Sequence, residues 1–286
     1  MIMATRQYTS DNTRAYGEPA GVRLLARLES SGTDPFAAPQ AVDEGAALGP
    51  TPHRIIALLA RLSKDGWVTR IKKGLYAIND PITRAPKAHP FAIGAAIVNP
   101  SAISHWSALQ HWGLTEQISA AITLSSPART FPPRTGTHGR GLRAAWIVGG
   151  LRYQFTTIPP AHFFGVSKIW IDGRNQVPVF DRERALLDAF QHFHIFGSLS
   201  MALEILETRM ADLDLERLVA HALRLKVTAV IKRIGWAPEA LNAPADLVAP
   251  LRSYPAKGDS PLDPGRPSRG RHNRTWHLIE NLQIAR

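Results

Sequence analysis

The residues of this chain best suited to chemistry are cations at ordered spacing. Arg54, Ala57, Arg61 and Lys64 recur at i, i+3, i+7 and i+10, a spacing that places all four on one side of an α-helix. Arg70, Lys72 and Lys73 follow closely. A guanidinium can donate paired hydrogen bonds to a guanine edge, and an ammonium neutralises a phosphate. Thr51 and His53 precede the cations and can add hydrogen bonds of their own. Thr51, His53, Arg54, Ala57, Arg61, Lys64, Arg70, Lys72 and Lys73 are therefore the candidate contacts to a nucleic-acid duplex. Residues 51–87 hold eight cations against two anions, and their net +6 is about half of the chain's +11.

The elements that must position these groups follow from hydrophobic period and punctuation. Ile55, Leu58, Leu59 and Leu62 stand at i, i+3, i+4 and i+7 and predict an amphipathic helix from about His53 to Asp65. Thr51 is a candidate N-cap, Pro52 suits the first turn, and Gly66 suits a left-handed C-terminal stop. Trp67–Ile71 and Leu75–Ile78 predict two strands turning at Lys72-Lys73-Gly74. Two shorter helices are expected upstream. One runs from Pro19 to about Ser30; the other runs from Pro39 to Ala47, with Ala41, Val42, Ala46 and Leu48 turned inward. Three helices followed by a hairpin predict a winged helix-turn-helix over residues 1–80, with 1–18 as a frayed lead-in. In that motif the third helix presents its N-terminal half to the major groove, while Lys72 and Lys73 meet phosphates or a minor groove. Trp67 and Tyr76 are read as packing residues rather than base stackers.

Bulk composition agrees with a polyanionic partner. Lys and Arg total 34 against 23 Asp and Glu, and such a field attracts phosphate before any specific contact forms. The 286 residues suggest two domains, and 44% apolar residues can supply two cores. There is no cysteine, which excludes disulfides and thiolate chemistry and fits a cytoplasmic protein. No apolar run is long enough to span a bilayer, and the first residues lack the apolar stretch of a signal peptide.

Residues 81–90 are proline-rich and basic and predict a linker. Beyond them, 91–286 predict an α+β domain, which makes the chain α+β overall: a helical, winged N-terminal unit followed by a mixed C-terminal domain. A helix is expected over Ser101–His111 and a strand at Ala121–Leu124, followed by a loop over Ser125–Gly141. Strands at Leu142–Val148 and Arg152–Ile158 flank Gly149-Gly150. A hairpin from Lys168 to Phe180 turns at Asp172-Gly173. Asp181 caps a helix to about Phe193, with Glu183 and Arg184 as a surface pair. Helices follow over Leu199–Arg209, Leu215–Leu225 and Val227–Ile234. Residues 242–274 read as loop, and a last strand spans Trp276–Glu280. The stretch 252–286 carries seven cations against three anions, either a second contact surface or a solvated loop.

An active site is harder to find. His192 and His194 are two residues apart, a poor spacing for joint metal ligation from a helix, and are read as surface or capping groups. His105 and His111 lack an acidic companion at matched spacing. Ser125 and Ser126 have no identifiable partner histidine, and no carboxylate cluster suggests a divalent-metal nuclease. Gly139-Arg140-Gly141 follows loop rather than strand, which argues against a phosphate-binding turn. The expectation is a protein that is not an enzyme and needs no cofactor or metal. The rivals are an enzyme acting on nucleic acid and a protein-docking adaptor.

Five segments carry a resemblance. They are Leu58–Trp67 running on to Gly74-Leu75-Tyr76, Ser101–Gln117, the strand Ile122-Thr123-Leu124, Phe180–Asp188, and Leu262-Asp263-Pro264 through Trp276-His277-Leu278. In this order they resemble the AbiEi family of type IV antitoxins. The resemblance implies a transcriptional repressor whose winged helix binds inverted repeats in its own promoter. It also implies a C-terminal domain that counteracts a nucleotidyltransferase-like toxin without forming a stable complex with it. Arg54, Arg61, Lys64, Lys72 and Lys73 match the family's basic head by position.

Overall fold

The computed structural model describes residues 19–129 and 145–282. The lead-in expected over 1–18, most of the 125–141 loop, the start of the strand expected at Leu142, and Arg286 lie outside them. The protein is mixed α+β, with ten α-helices and three sheets among the described residues.

The N-terminal elements are α1 (Ala20–Ser30), β1 (Phe36–Ala37), α2 (Ala38–Ala46), α3 (Pro52–Lys64), β2 (Val68–Lys72) and β3 (Leu75–Ile78). Their antiparallel sheet has the order β1-β3-β2. The 3.6-residue period of α3 turns Ile55, Leu59 and Leu62 into a core shared with Leu24, Leu28, Phe36, Val68, Tyr76 and Ile78. Gly66 ends α3 at φ +75°, and the Trp67 N–H then donates back to Leu62 O at 2.9 Å, the hydrogen bond of a Schellman stop. Gly45 lets α2 approach α3, since a Cβ there would stand 2.5 Å from Ile55 Cδ1. Ala46, expected inward, is exposed, and Gly45 takes the buried position. Thr51 stands at the N-cap with extended backbone but makes no capping bond through its hydroxyl.

The remainder begins at α4 (Pro90–Ile97), β4 (Ala102–Ile103), α5 (His105–His111), β5 (Ile122–Ser126), β6 (Trp146–Val148) and β7 (Leu151–Thr157). It continues through β8 (Val166–Trp170), β9 (Gln176–Phe180), α6 (Arg182–Gln191), α7 (Leu199–Arg209), α8 (Leu215–Leu225), α9 (Thr228–Ala240) and α10 (Ala245–Arg252). Three short strands, β10 (Ser260–Pro261), β11 (Arg271–Asn273) and β12 (Leu278–Glu280), close the described chain. A six-stranded mixed sheet has the order β6-β7-β5-β4-β9-β8. Adjacent β5 residues sort the helices to its two faces. Leu124 lies against α4 at Gly94, whereas the Thr123 hydroxyl accepts from the Ser107 N–H of α5 at 3.1 Å.

Three expectations are corrected here. The helix expected from Ser101 begins only at His105, because Ala102 and Ile103 are buried and pair with β5, and Ile103 pairs with β9 as well. The supposed surface pair Glu183 and Arg184 is buried. Glu183 accepts from the Asp214 N–H at 2.9 Å, and Arg184 pairs with Asp188 between the rings of Phe164 and Phe180. The stretch 242–274 is not all loop, since it contains α10, β10 and β11.

The two cores meet at the hairpin. Ile71, Leu75 and Ala77 point into the large C-terminal core, away from Val68, Tyr76 and Ile78. Residues 81–90 are not a bare tether. The Asp80 N–H donates to Ala85 O, the Lys87 N–H to Ile78 O, and Ala88 is buried.

Candidate nucleic-acid interface

The exposed side of α3 is built by subtraction. Once Ile55, Leu59 and Leu62 are buried, His53, Arg54, Ala57, Arg61 and Lys64 must face water, as does Thr51 just before the helix. The acid-free first turn of α3 exposes its N-terminal dipole, which favours an approaching anion. Ile56 is exposed beside this face and was not singled out by the sequence patterns. An apolar contact such as a thymine methyl would suit it.

The cations divide by environment. Arg54, Arg61, Lys64, Arg70 and Lys73 are exposed and make no ion pair among the described residues. The other three cations between 51 and 87 are engaged. Lys72 Nζ donates to Ile97 O at 2.7 Å, at the C-terminal end of α4, where a positive charge meets the negative end of the helix dipole. Arg84 lies 4.6 Å over the Trp67 ring. Lys87 pairs with Glu29 at 2.5 Å. Lys72 and Lys73 are adjacent in sequence, but Lys72 is tied to α4 and Lys73 is turned to solvent. Tyr76 is buried and stacks on Phe36 at 5.9 Å between centroids, while Trp67 packs against the small core.

Behind the hairpin, Asp34 Oδ1 accepts from the Ile78 N–H at 3.0 Å. Burial pushes the Asp34 carboxyl up to about 6, against the opposing pull of that hydrogen bond. At the start of α4, His89 Nδ1 accepts from the Phe91 N–H at 3.1 Å. Burial holds this imidazole below its ordinary value, in keeping with a neutral ring that accepts.

The C-terminal cations of the chain are not uniformly solvated. Arg252 pairs with Glu239 and Arg266 with Asp263, whereas Arg266, Arg269 and Arg271 line an open cavity of about 890 Å³ with Trp236 and Glu280. The polar residues that sequence spacing left apart come together elsewhere. Ser125 Oγ donates to Ser104 Oγ, which lies 2.8 Å from His105 Nδ1, and His105 faces Asp188 and His192. The missed signal is Asp188 to His192, an i, i+4 pair at the end of α6, rather than His192 to His194.

These features define a mixed α+β protein whose basic helix and hairpin are seated on a larger sheet-and-helix body. Its fold is similar to that in the crystal structure of the RV2827C protein from Mycobacterium tuberculosis. The TM-score is 0.61 at 15% sequence identity, over 92% of each chain. No protein-family model and no curated protein matches the sequence.

Proposed function

We propose that this protein is a DNA-binding transcriptional repressor whose N-terminal unit acts as a winged helix-turn-helix on its own promoter. The observation that carries the reading is the solvent face of α3. Arg54, Arg61 and Lys64 share one side of a helix whose other side is packed, and none is neutralised by a neighbour. Helix α3 would enter the major groove through Thr51, His53, Arg54 and Ala57, with Arg61 and Lys64 further along. Arg70 and Lys73 would hold phosphates, and Lys72 would brace the hairpin against α4. Occupancy of inverted repeats in the promoter would then block polymerase. The resemblance to AbiEi antitoxins extends the proposal to a type IV toxin–antitoxin role, in which the C-terminal domain counteracts a nucleotidyltransferase-like toxin without a stable complex. A winged helix in this use needs neither cofactor nor catalysis.

The test is a salt titration of binding to the promoter fragment of the protein's own gene, against a scrambled duplex. Selective binding that weakens steeply with salt is the expected result. Equal, weak binding to both duplexes overturns the repressor reading. For the antitoxin role, the expected result is rescue of growth when the protein is co-expressed with a nucleotidyltransferase-like product of the adjacent gene. Failure of rescue refutes that part alone.

A further inference from the structure

We propose that His105, Asp188 and His192 form a binding site for one divalent transition-metal ion, of the class that prefers imidazole nitrogen to an all-oxygen shell. One ligand atom from each residue lies within 4.8 Å of the other two. Two imidazoles and one carboxylate suit Zn²⁺ and its neighbours, whereas Ca²⁺ and Mg²⁺ require oxygen donors. The three residues come from two elements. His105 opens α5 at φ +50°, Asp188 lies in the last turn of α6, and His192 follows at its C-cap, four residues on. A bound ion would pin α5 to the end of α6.

Two independent features prepare the site. The first is the Asp188 carboxylate, which is 1% exposed. Its Oδ1 is held by Arg184, while its Oδ2 is buried with no hydrogen-bond partner among the described residues. An acceptor oxygen in that position costs free energy unless a proton donor or a cation meets it. The second is the support behind His105. Ser104 Oγ lies 2.8 Å from its Nδ1, and Ser125 Oγ donates to Ser104 Oγ at 2.9 Å. When the Nδ1–H donates to Ser104, Nε2 presents its lone pair. That is the outer-shell hydrogen bond which fixes the tautomer of a ligating histidine.

The environment also sets the role. Ser104 and His105 are buried, and His192 is half-buried. Arg184 already holds one carboxylate oxygen, which leaves Oδ2 to meet the ion. The site is thus a clamp between helices.

The experiment uses the full chain, stripped with EDTA and dialysed against Zn²⁺. Metal content after gel filtration is compared between wild type, His192→Ala and His272→Ala. His272 sits on the surface beside Asp259 and reports adventitious binding. The expected result is one Zn²⁺ per chain in wild type and His272→Ala, none in His192→Ala, and a melting temperature raised by Zn²⁺ only in the first two. Co²⁺ should give visible bands in the same two proteins. Ser104→Ala removes no ligand and should weaken Zn²⁺ by about 10-fold. This variant decides the matter if His192→Ala does not fold. No retained metal in wild type, equal retention in His192→Ala, or unchanged affinity in Ser104→Ala overturns the proposal.

Discussion

Lys72 and Lys73 are neighbours of like charge at the tip of one hairpin, yet their substitutions should have separable effects. Between residues 51 and 73, Lys73 is one of five exposed cations whose side chains make neither a hydrogen bond nor an ion pair among the described residues, with Arg54, Arg61, Lys64 and Arg70. If all five meet phosphate or a base edge, log K should fall against log salt with a slope of about −4.5. Raising salt from about 50 to 200 mM would then weaken binding roughly 500-fold. Lys73→Met removes one counterion-releasing contact, so the slope should relax to about −3.6 and the same salt step should cost roughly 150-fold. Lys72→Met should leave the slope of wild type, because its ammonium is already directed to Ile97 O. It should instead lower folding stability by about 1 kcal/mol, less than a buried charged hydrogen bond because Lys72 is exposed. Fluorescence anisotropy across a salt series and urea unfolding measure the two quantities. The reasoning is refuted if Lys72→Met flattens the slope as much as Lys73→Met while stability stays unchanged.

Four further outcomes are expected. Arg54→Ala should cost about 1–3 kcal/mol of binding at one base pair and little at others, read by a panel of single-base operator variants. Asp34→Asn should remove a pH dependence. The folded carboxyl is raised to about 6 from 3.8, so the native state holds its proton more tightly and stability falls as pH rises from about 4 to 6. Allowing for the water that still reaches the group, the variant should gain about 2 kcal/mol at pH 7.5 and nothing below pH 4; equal urea midpoints at pH 7.5 contradict this. Gly235→Ala should destabilise by about 1–3 kcal/mol, since its Cβ would fall 2.1 Å from Trp276 Cζ3. Pairing it with Trp276→Ala should give less than the sum of the two losses. Arg184→Ala strands the Asp188 carboxylate in the core and should cost about 3–5 kcal/mol, measured by thermal unfolding; a loss under about 1 kcal/mol would mean that water reaches the pair.

Local pattern in the sequence was enough for elements that carry their own signals. The α3 stripe of Ile55, Leu59 and Leu62, the Gly66 stop and the Gly74 turn each depend on neighbours a few residues away. The same holds for the Asp181 cap, whose side chain accepts from the Arg184 N–H at 2.7 Å, and for the turn at Asp172, which accepts from the N–H groups of Arg174 and Asn175. Exposure of the α3 cations also follows locally, because one face of an amphipathic helix is buried and the other is not.

What the tertiary structure alone decided involves partners far along the chain. Ala102 and Ile103 look helical by neighbourhood, but pairing with β5 and β9 makes them strand. Glu183 and Arg184 look like a surface pair, but α6 is enclosed by α5, α8 and α9 and only non-local partners satisfy them. Two consecutive lysines cannot be told apart in the sequence. The hairpin bulge between Arg70 and Lys72, and the arrival of the α4 carbonyl end 25 residues later, assign one to bracing and one to solvent. The meeting of His105 with Asp188 and His192 belongs to the same class, since 83 residues separate the first two and no local period encodes their distance. Sequence fixes whatever short-range geometry and the sign of charge can enforce. The fold decides which charges are spent inside the molecule and which are left for a partner.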